Sequence, residues 1–106
     1  MIESVGFKTK TFTDAQSFLD NYTTDQAGCL ILDVRMPEIS GPELQERLNQ
    51  MHFKLPIIFI SGHGDIPLAV RVMKAGAVDF LAKPFNDQIL LEVINKAIRI
   101  DKENRE

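Results

Sequence analysis

The sequence has only one cysteine, Cys29, so no disulfide can form within the chain and a reducing cytoplasm is the expected environment. No apolar run approaches the roughly 18 residues that a membrane-spanning helix needs. The start of the chain lacks the basic and apolar regions of a signal peptide. Internal repeats and low-complexity segments are also missing. The sequence therefore predicts a cytoplasmic globular protein, with Cys29 as a small buried hydrophobic residue.

The chain also lacks an excess of basic residues. Its formal net charge is −3, and its 12 lysines and arginines are scattered among 15 acidic residues. Direct binding to nucleic acid is therefore not expected, because phosphate contacts need a basic face. A length of 106 residues favours one domain.

Apolar segments alternate with amphipathic ones along most of the chain. Predicted strands cover residues 7–12, 27–33, 55–61 and 78–81, and predicted helices cover residues 13–22, 40–51, 65–76 and 86–100. Residues 1–5 are predicted to be the last turn of a helix that Gly6 caps. This order predicts an α/β fold with a parallel sheet and helices on both faces.

Several helix ends have recognisable signals. Ser40 with Glu43 forms a capping box, and Ile39 with Leu44 fits a hydrophobic staple. Asn86 is the predicted cap of the last helix. Residues 101–106 are all polar, so we expect a frayed end or the start of a linker there.

Asp33 is the strongest candidate for a functional residue. It ends the apolar run Cys29–Leu32, and buried carboxylates are costly unless they are used or paired. Ser61 and Lys83 follow two later apolar runs. Parallel strands place their carboxyl ends at one edge, so the three side chains are expected to converge. A carboxylate nucleophile with a hydroxyl and a cation beside it suits phosphoryl transfer.

With these residues identified, the sequence resembles the receiver domains of two-component response regulators, and FixJ-like regulators in particular. The matching segments are Leu30–Pro37, Gly41, Ile60–Asp65, Met73–Ala77 and Asp79–Phe85. The resemblance implies a flavodoxin-like fold over residues 1–100. It implies a signalling module and not an enzyme. It also implies two partners, a histidine kinase and a DNA-binding output domain beyond residues 101–106.

The resemblance assigns a role to each matching residue. Asp33 would accept the phosphoryl group, and Ser61 and Lys83 would bind it. Phe80 would be an aromatic switch, and the Lys83–Pro84 peptide bond would be cis. Asp33 and the backbone carbonyl of Arg35 would bind Mg²⁺. The side chains of Arg35 and His63 would flank the site and tune dephosphorylation.

One part of the family pattern has no counterpart in the sequence. Receiver domains begin with a central strand that ends in an acidic pair, and Mg²⁺ needs those oxygen ligands. The sequence starts near the end of the following helix, so four strands are expected. We therefore expect weak Mg²⁺ binding and impaired phosphorylation of Asp33.

The missing strand also predicts a structural response. A vacant central position would leave several backbone groups unpaired, at about 1–3 kcal/mol each. Either another chain fills the position, or the strand near residues 8–12 pairs directly with the Asp33 strand. The second arrangement would leave one sheet face covered by the last helix alone, so we expect an obligate dimer.

Two other functions are compatible with parts of the sequence. A phosphorylation-independent dimerisation or interaction module could use the same scaffold. A phosphohydrolase with an aspartate nucleophile would need a second Asp two residues after Asp33, where the sequence has Arg35.

Overall fold

A computed structural model describes residues 2–6, 10–12, 18–20, 28–34, 39–62 and 66–105. The strands are β1 (Ile2–Gly6), β2 (Lys10–Phe12), β3 (Gly28–Asp33), β4 (Ile57–Ser61) and β5 (Asp79–Ala82). The helices are α1 (Gly41–Gln50), α2 (Ile66–Lys74) and α3 (Asp87–Arg105), and residues 18–20 are also helical. In this part of the chain, no helix is long and apolar enough to cross a bilayer.

The five strands form one sheet in the order β2-β1-β3-β4-β5. β3, β4 and β5 are parallel neighbours, whereas β1 is antiparallel to both β2 and β3. The predicted α/β fold with helices on both faces is confirmed. The expected count of four strands is wrong, because the first residues of the chain supply a fifth.

β1 is the largest departure from the sequence-based expectation. Residues 1–5 were predicted to be helical, but β1 pairs with β3 from Ile2 opposite Leu32 to Gly6 opposite Gly28. One isolated helical turn is unstable because nucleation is costly. Pairing with β3 instead gives the backbone groups of both strands hydrogen-bond partners. β1, and not the strand near residues 8–12, therefore fills the central position.

The buried side chains of β3 and β4 alternate between two cores, as expected for strands covered on both faces. Leu30, Leu32 and Phe59 pack in the core beneath α1 and α2, together with Phe18. The core beneath α3 contains four other residues of these strands and two residues of α3: Cys29, Ile31, Ile58, Ile60, Val93 and Ala97. Cys29 is thus a buried apolar residue, as predicted.

The predicted signals for the start of α1 are confirmed. The Ser40 hydroxyl accepts a hydrogen bond from the backbone N–H of Glu43 at 3.3 Å, and Ile39 and Leu44 are both buried. Pro42 lies in the first turn, where its missing N–H has no cost. α1 therefore begins at Gly41, eight residues after Asp33. The predicted cap of α2, Asp65, and most of the predicted helix at residues 13–22 lie outside the described residues.

α3 begins as predicted but ends later. Asn86 caps it by accepting a hydrogen bond from the backbone N–H of Ile89 at 2.8 Å. The expectation of a frayed end is wrong for residues 101–105, which continue the helix, whereas a linker toward an output domain stays a prediction. Asp101 is only 1% exposed, and its carboxylate accepts a hydrogen bond from the backbone N–H of Gly28 at 3.0 Å. This bond fastens the last turns of α3 to the start of β3.

Replacing Asp101 is expected to destabilise the domain. Asp101→Leu removes the acceptor of a buried N–H and should lower the free energy of unfolding by about 1–3 kcal/mol. Asp101→Asn keeps a side-chain oxygen and should cost less. Urea denaturation followed by circular dichroism measures both. Glu103→Leu, an exposed change on the same helix, is the control. Equal stabilities of all three variants would contradict the role given to Asp101.

Candidate functional site

Asp33, Ser61 and Lys83 lie at one edge of the sheet, which we call the site edge. Asp33 ends β3, Ser61 ends β4, and Lys83 follows the last residue of β5. The parallel register pairs Asp33 with Ile60 and Ser61 with Ala82. The structure thus brings together the three side chains that the sequence placed far apart.

Backbone hydrogen bonds continue past the strand ends. The N–H of Val34 donates to the carbonyl of Ile60 at 2.9 Å, and the N–H of Lys83 donates to the carbonyl of Ser61 at 2.8 Å. The first residues after β3 and β5 are therefore held by the same hydrogen-bond ladder that holds the strands. These bonds hold the backbone beside Asp33 and at Lys83, and so position the Cα atoms that carry the two side chains.

Lys83 and Asp33 form a loose ion pair. The Nζ atom of Lys83 lies 4.0 Å from Oδ2 of Asp33, and the two side chains are 53% and 28% exposed. Pairs this exposed contribute about 0–1 kcal/mol to stability because water screens them. The ion pair therefore adds little to stability. It leaves the Asp33 carboxylate accessible to a reactant, and the Lys83 ammonium lies beside that carboxylate.

Ser61 is more enclosed than its two partners. It is 7% exposed, on the strand between those that carry Asp33 and Lys83. A hydroxyl at this place can donate to an oxygen bound between the two charged side chains. The set contains a carboxylate, a hydroxyl and a cation, the three groups that the sequence predicted would converge.

Gly41 permits a close approach behind Asp33. A Cβ atom at Gly41 would lie 2.9 Å from the carbonyl oxygen of Asp33 and 2.9 Å from Cε1 of Phe59. The N–H of Gly41 donates to the carbonyl of Val34 at 2.8 Å. Gly41 is needed for space and not for an unusual backbone angle. Gly76, by contrast, has a φ of +110° after the end of α2.

Phe80 and Pro84 flank the site edge on β5 and after it. Phe80 is half-buried, packs against the core beneath α1 and α2, and pairs with Phe59 across the strands. The Lys83–Pro84 peptide bond is cis, as the resemblance implied. The switch role of Phe80 stays a prediction. Arg35 and His63 lie outside the described residues.

The described residues do not assemble a metal site. Within them, no group of three or more His, Cys, Asp or Glu side chains could hold a metal ion. Mg²⁺ prefers near-octahedral oxygen coordination, which Asp33 with a lysine 4.0 Å away does not provide. Receiver domains in general bind Mg²⁺, but these residues by themselves do not fit the ion.

Comparison with known proteins identifies the family. The profile of the response regulator receiver domain matches residues 1–95. The chain belongs to the receiver-domain family of response regulators. Receiver domains are signalling modules and not enzymes, and the solved members share the flavodoxin-like fold found here.

Receiver domains similar to this chain come from transcriptional regulators. The response regulator protein TmoT of Ectopseudomonas mendocina is 47% identical over 106 residues, which are 100% of this chain and 48% of TmoT. The transcriptional regulatory protein FixJ of Bradyrhizobium diazoefficiens is 48% identical over 99 residues, 93% of this chain and 48% of FixJ. This receiver domain thus spans about half the length of the curated relatives it matches.

Two solved structures give the same result. The response regulator StyR superimposes with a TM-score of 0.83 at 50% identity, over 91% of this chain and 48% of StyR. Full-length FixJ from B. japonicum has a TM-score of 0.76 at 50% identity, over 85% of this chain and 44% of FixJ.

The packing role of Gly41 can be tested at the receiver site. Gly41→Ala should gain up to about 1 kcal/mol of helix propensity but lose about 1–3 kcal/mol to overpacking against backbone and ring atoms. A net loss of stability is expected, with a shifted Asp33 carbonyl resonance in carbon-13 NMR. Gly62→Ala is the control, since a Cβ there meets nothing within 4 Å. A Gly41→Ala variant as stable as the wild type, with an unshifted resonance, would contradict this role.

Proposed function

We propose that the chain is the phosphorylation-responsive receiver module of a two-component transcriptional regulator in the cytoplasm, and that Asp33 accepts a phosphoryl group from a histidine kinase. The observation that carries this proposal is the placement of Asp33, Ser61 and Lys83 at one edge of the sheet. The carboxylate of Asp33, whose side chain is 28% exposed, would supply the nucleophile. A DNA-binding output domain outside this sequence would be the target of the signal.

The proposed transfer of the phosphoryl group forms one bond to phosphorus and breaks another. A carboxylate oxygen of Asp33 forms a bond to phosphorus while the bond from phosphorus to the histidine nitrogen breaks, and that nitrogen keeps the electron pair. The phosphoryl group brings oxygens that carry negative charge. The ammonium group of Lys83 and the hydroxyl of Ser61 would bind these oxygens through charge-assisted hydrogen bonds.

The predicted impairment of this reaction remains part of the proposal. It rests on the sequence, in which no counterpart of the family's acidic pair was found. Arg35 is still the proposed source of a backbone carbonyl for Mg²⁺, and Arg35 and His63 are still proposed to tune dephosphorylation.

Phosphate transfer to Asp33 can be measured with radiolabelled acetyl phosphate. Label should appear on the wild type and vanish in Asp33→Asn, because an amide is not a comparable nucleophile. Lys83→Met should lower the labelling rate by roughly 10²-fold through lost charge stabilisation. Asp87→Asn, an exposed change in α3, is the control. Label that persists in Asp33→Asn would contradict the assignment of Asp33.

The alternative is a phosphorylation-independent interaction or dimerisation module, and exposed apolar side chains on α2 favour it. Ile66, Val70 and Met73 are 76%, 46% and 42% exposed and are spaced along one side of the helix. Apolar surface of this kind marks interfaces. Self-association would cover it whether or not Asp33 is phosphorylated.

The original reason for an obligate dimer is corrected by the structure. It assumed that the strand near residues 8–12 pairs with β3 and that a face covered by the last helix alone exposes apolar surface. β1 pairs with β3 instead, and Cys29 and Ile31 beneath the last helix are only 0% and 4% exposed. A dimer therefore stays a proposal that rests on the apolar side of α2.

Light scattering with and without Mg²⁺ and beryllofluoride, a mimic of the aspartyl phosphate, separates the two functions. The receiver proposal expects a mass or stability that responds to beryllofluoride, and no response in Asp33→Asn. A dimer that ignores beryllofluoride but dissociates in Val70→Glu would support the alternative. A 12.0 kDa monomer under every condition would rule out the dimer.

A further inference from the structure

α2 is held to the rest of the domain by little apolar burial. Val72 is its one buried residue, and Leu68 is partly buried against the same core. The other large apolar side chains of the helix are exposed. Fully burying one such side chain contributes about 1.5–3 kcal/mol, so apolar contacts alone attach α2 weakly.

Two amide side chains of α1 bind the C-terminal end of α2. Nε2 of Gln45 donates to the carbonyl of Val72 at 3.0 Å, and Nδ2 of Asn49 donates to the carbonyl of Ala75 at 3.0 Å. Gln45 and Asn49 are four residues apart, so they lie on one side of α1. We call these two hydrogen bonds the amide clamp. Val72 lies in the last turn of α2, whose carbonyls lack partners within the helix, and Ala75 directly follows the helix.

The two members of the clamp differ in strength. Gln45 is 2% exposed, so its bond to Val72 is shielded from water. Asn49 is exposed, and water competes for its bond to Ala75. The Val72 carbonyl also accepts from the N–H of Ala77 at 3.0 Å and keeps a donor if Gln45 is replaced. Loss of the clamp should therefore loosen α2 without leaving that carbonyl unpaired.

The N-terminal end of α2 is the end that lies closer in the sequence to the site edge. Ser61 ends β4, and α2 starts at Ile66, five residues later. A helix of 9 residues is about 13 Å long, so the clamp and the Ser61 end are separated by most of that length. α1 gives the clamp a firm base, because Gly41, Leu44 and Leu48 are buried.

There is open space beside the clamp. A groove of about 240 Å³ lies between α1 and α2 and is lined by Pro42, Gln45, Glu46, Asn49, Arg71 and Ala75. The space leaves room for a small shift of α2 against α1 in which Val72 would keep its place in the core. Together with the burial of Val72, the amide clamp opposes such a shift at the C-terminal end.

We propose that Gln45 and Asn49 are positioning residues that make the C-terminal end of α2 a pivot, so that α2 moves at its Ser61 end. Holding the C-terminal end follows from the hydrogen bonds alone. That a signal passes from Ser61 to the N-terminal end of α2 rests on the proposed function.

Hydrogen–deuterium exchange of the whole chain without ligand tests the pivot. The reporter amides are those of residues 75–77, which donate to Arg71, Met73 and Val72. Gln45→Met with Asn49→Ala should accelerate their exchange by on the order of tenfold, since two hydrogen bonds are lost. Gln45→Met alone should account for most of this effect. Both substitutions preserve helix propensity, so α1 itself is not weakened.

Two controls separate a pivot from general destabilisation. Gln50→Met changes an exposed amide on the same helix and should leave residues 75–77 unchanged. Exchange of β3 and β4 amides should stay within twofold of the wild type in the double variant. Equal acceleration of the strands and of residues 75–77, or no acceleration at residues 75–77, would overturn the pivot.

A second arm adds beryllofluoride and Mg²⁺. In the wild type the change in exchange should be confined to residues 66–70, and in the double variant it should extend to residue 77. A wild-type response that already reaches residue 77 would contradict the pivot. Absence of any response in the wild type would contradict the proposed function, whereas the ligand-free comparison still decides the pivot.

Discussion

The need of β3 for hydrogen-bonded neighbours on both sides is the constraint on which the rest of the structure depends. β3 is buried on both faces and carries Asp33 at its end. An unpaired backbone group in such a strand costs about 1–3 kcal/mol, and whole domains are stable by only about 5–15 kcal/mol. β4 pairs with one side and β1 with the other, so the core strand is complete within one chain.

The reversed direction of β1 matters for the chemistry of the site edge. β3, β4 and β5 all end there, whereas β1 begins there, with Ile2 opposite Leu32. A parallel strand would deliver the residues at its carboxyl end to Asp33, and an antiparallel strand delivers those at its start. The carboxylate, hydroxyl and cation come entirely from the parallel part of the sheet. β1 thus pairs with β3, but its carboxyl end lies at the other edge of the sheet, away from Asp33, Ser61 and Lys83.

Much of the site could be predicted because its signals are local. The apolar runs before Asp33 and Ser61 indicate buried strands, and Ser40 and Asn86 are capping residues whose side chains bond as expected. β1 could not be predicted, because the pattern of residues 2–6 does not itself indicate a strand. These residues form a strand because they pair with the side of β3 that β4 does not cover. The end of α3 was missed because Asp101 is polar. It continues the buried spacing of Val93 and Ala97 at intervals of four residues, but its bond to Gly28 spans 73 residues of sequence.

The uneven distribution of buried surface suggests where the domain can change shape. β3 and β4 are buried along almost their entire length, whereas α2 buries Val72 alone. Segments with few buried apolar contacts open at a lower free energy than the core, and switching elements come from such segments. α2 meets this condition and is the next described element of the chain after β4, which Ser61 ends. A helix this weakly buried needs another restraint to keep its place, and the shielded bond from Gln45 supplies one at the end farthest from the site edge. The polar contact and the sparse packing are therefore parts of one arrangement, in which α2 can move without the core unfolding.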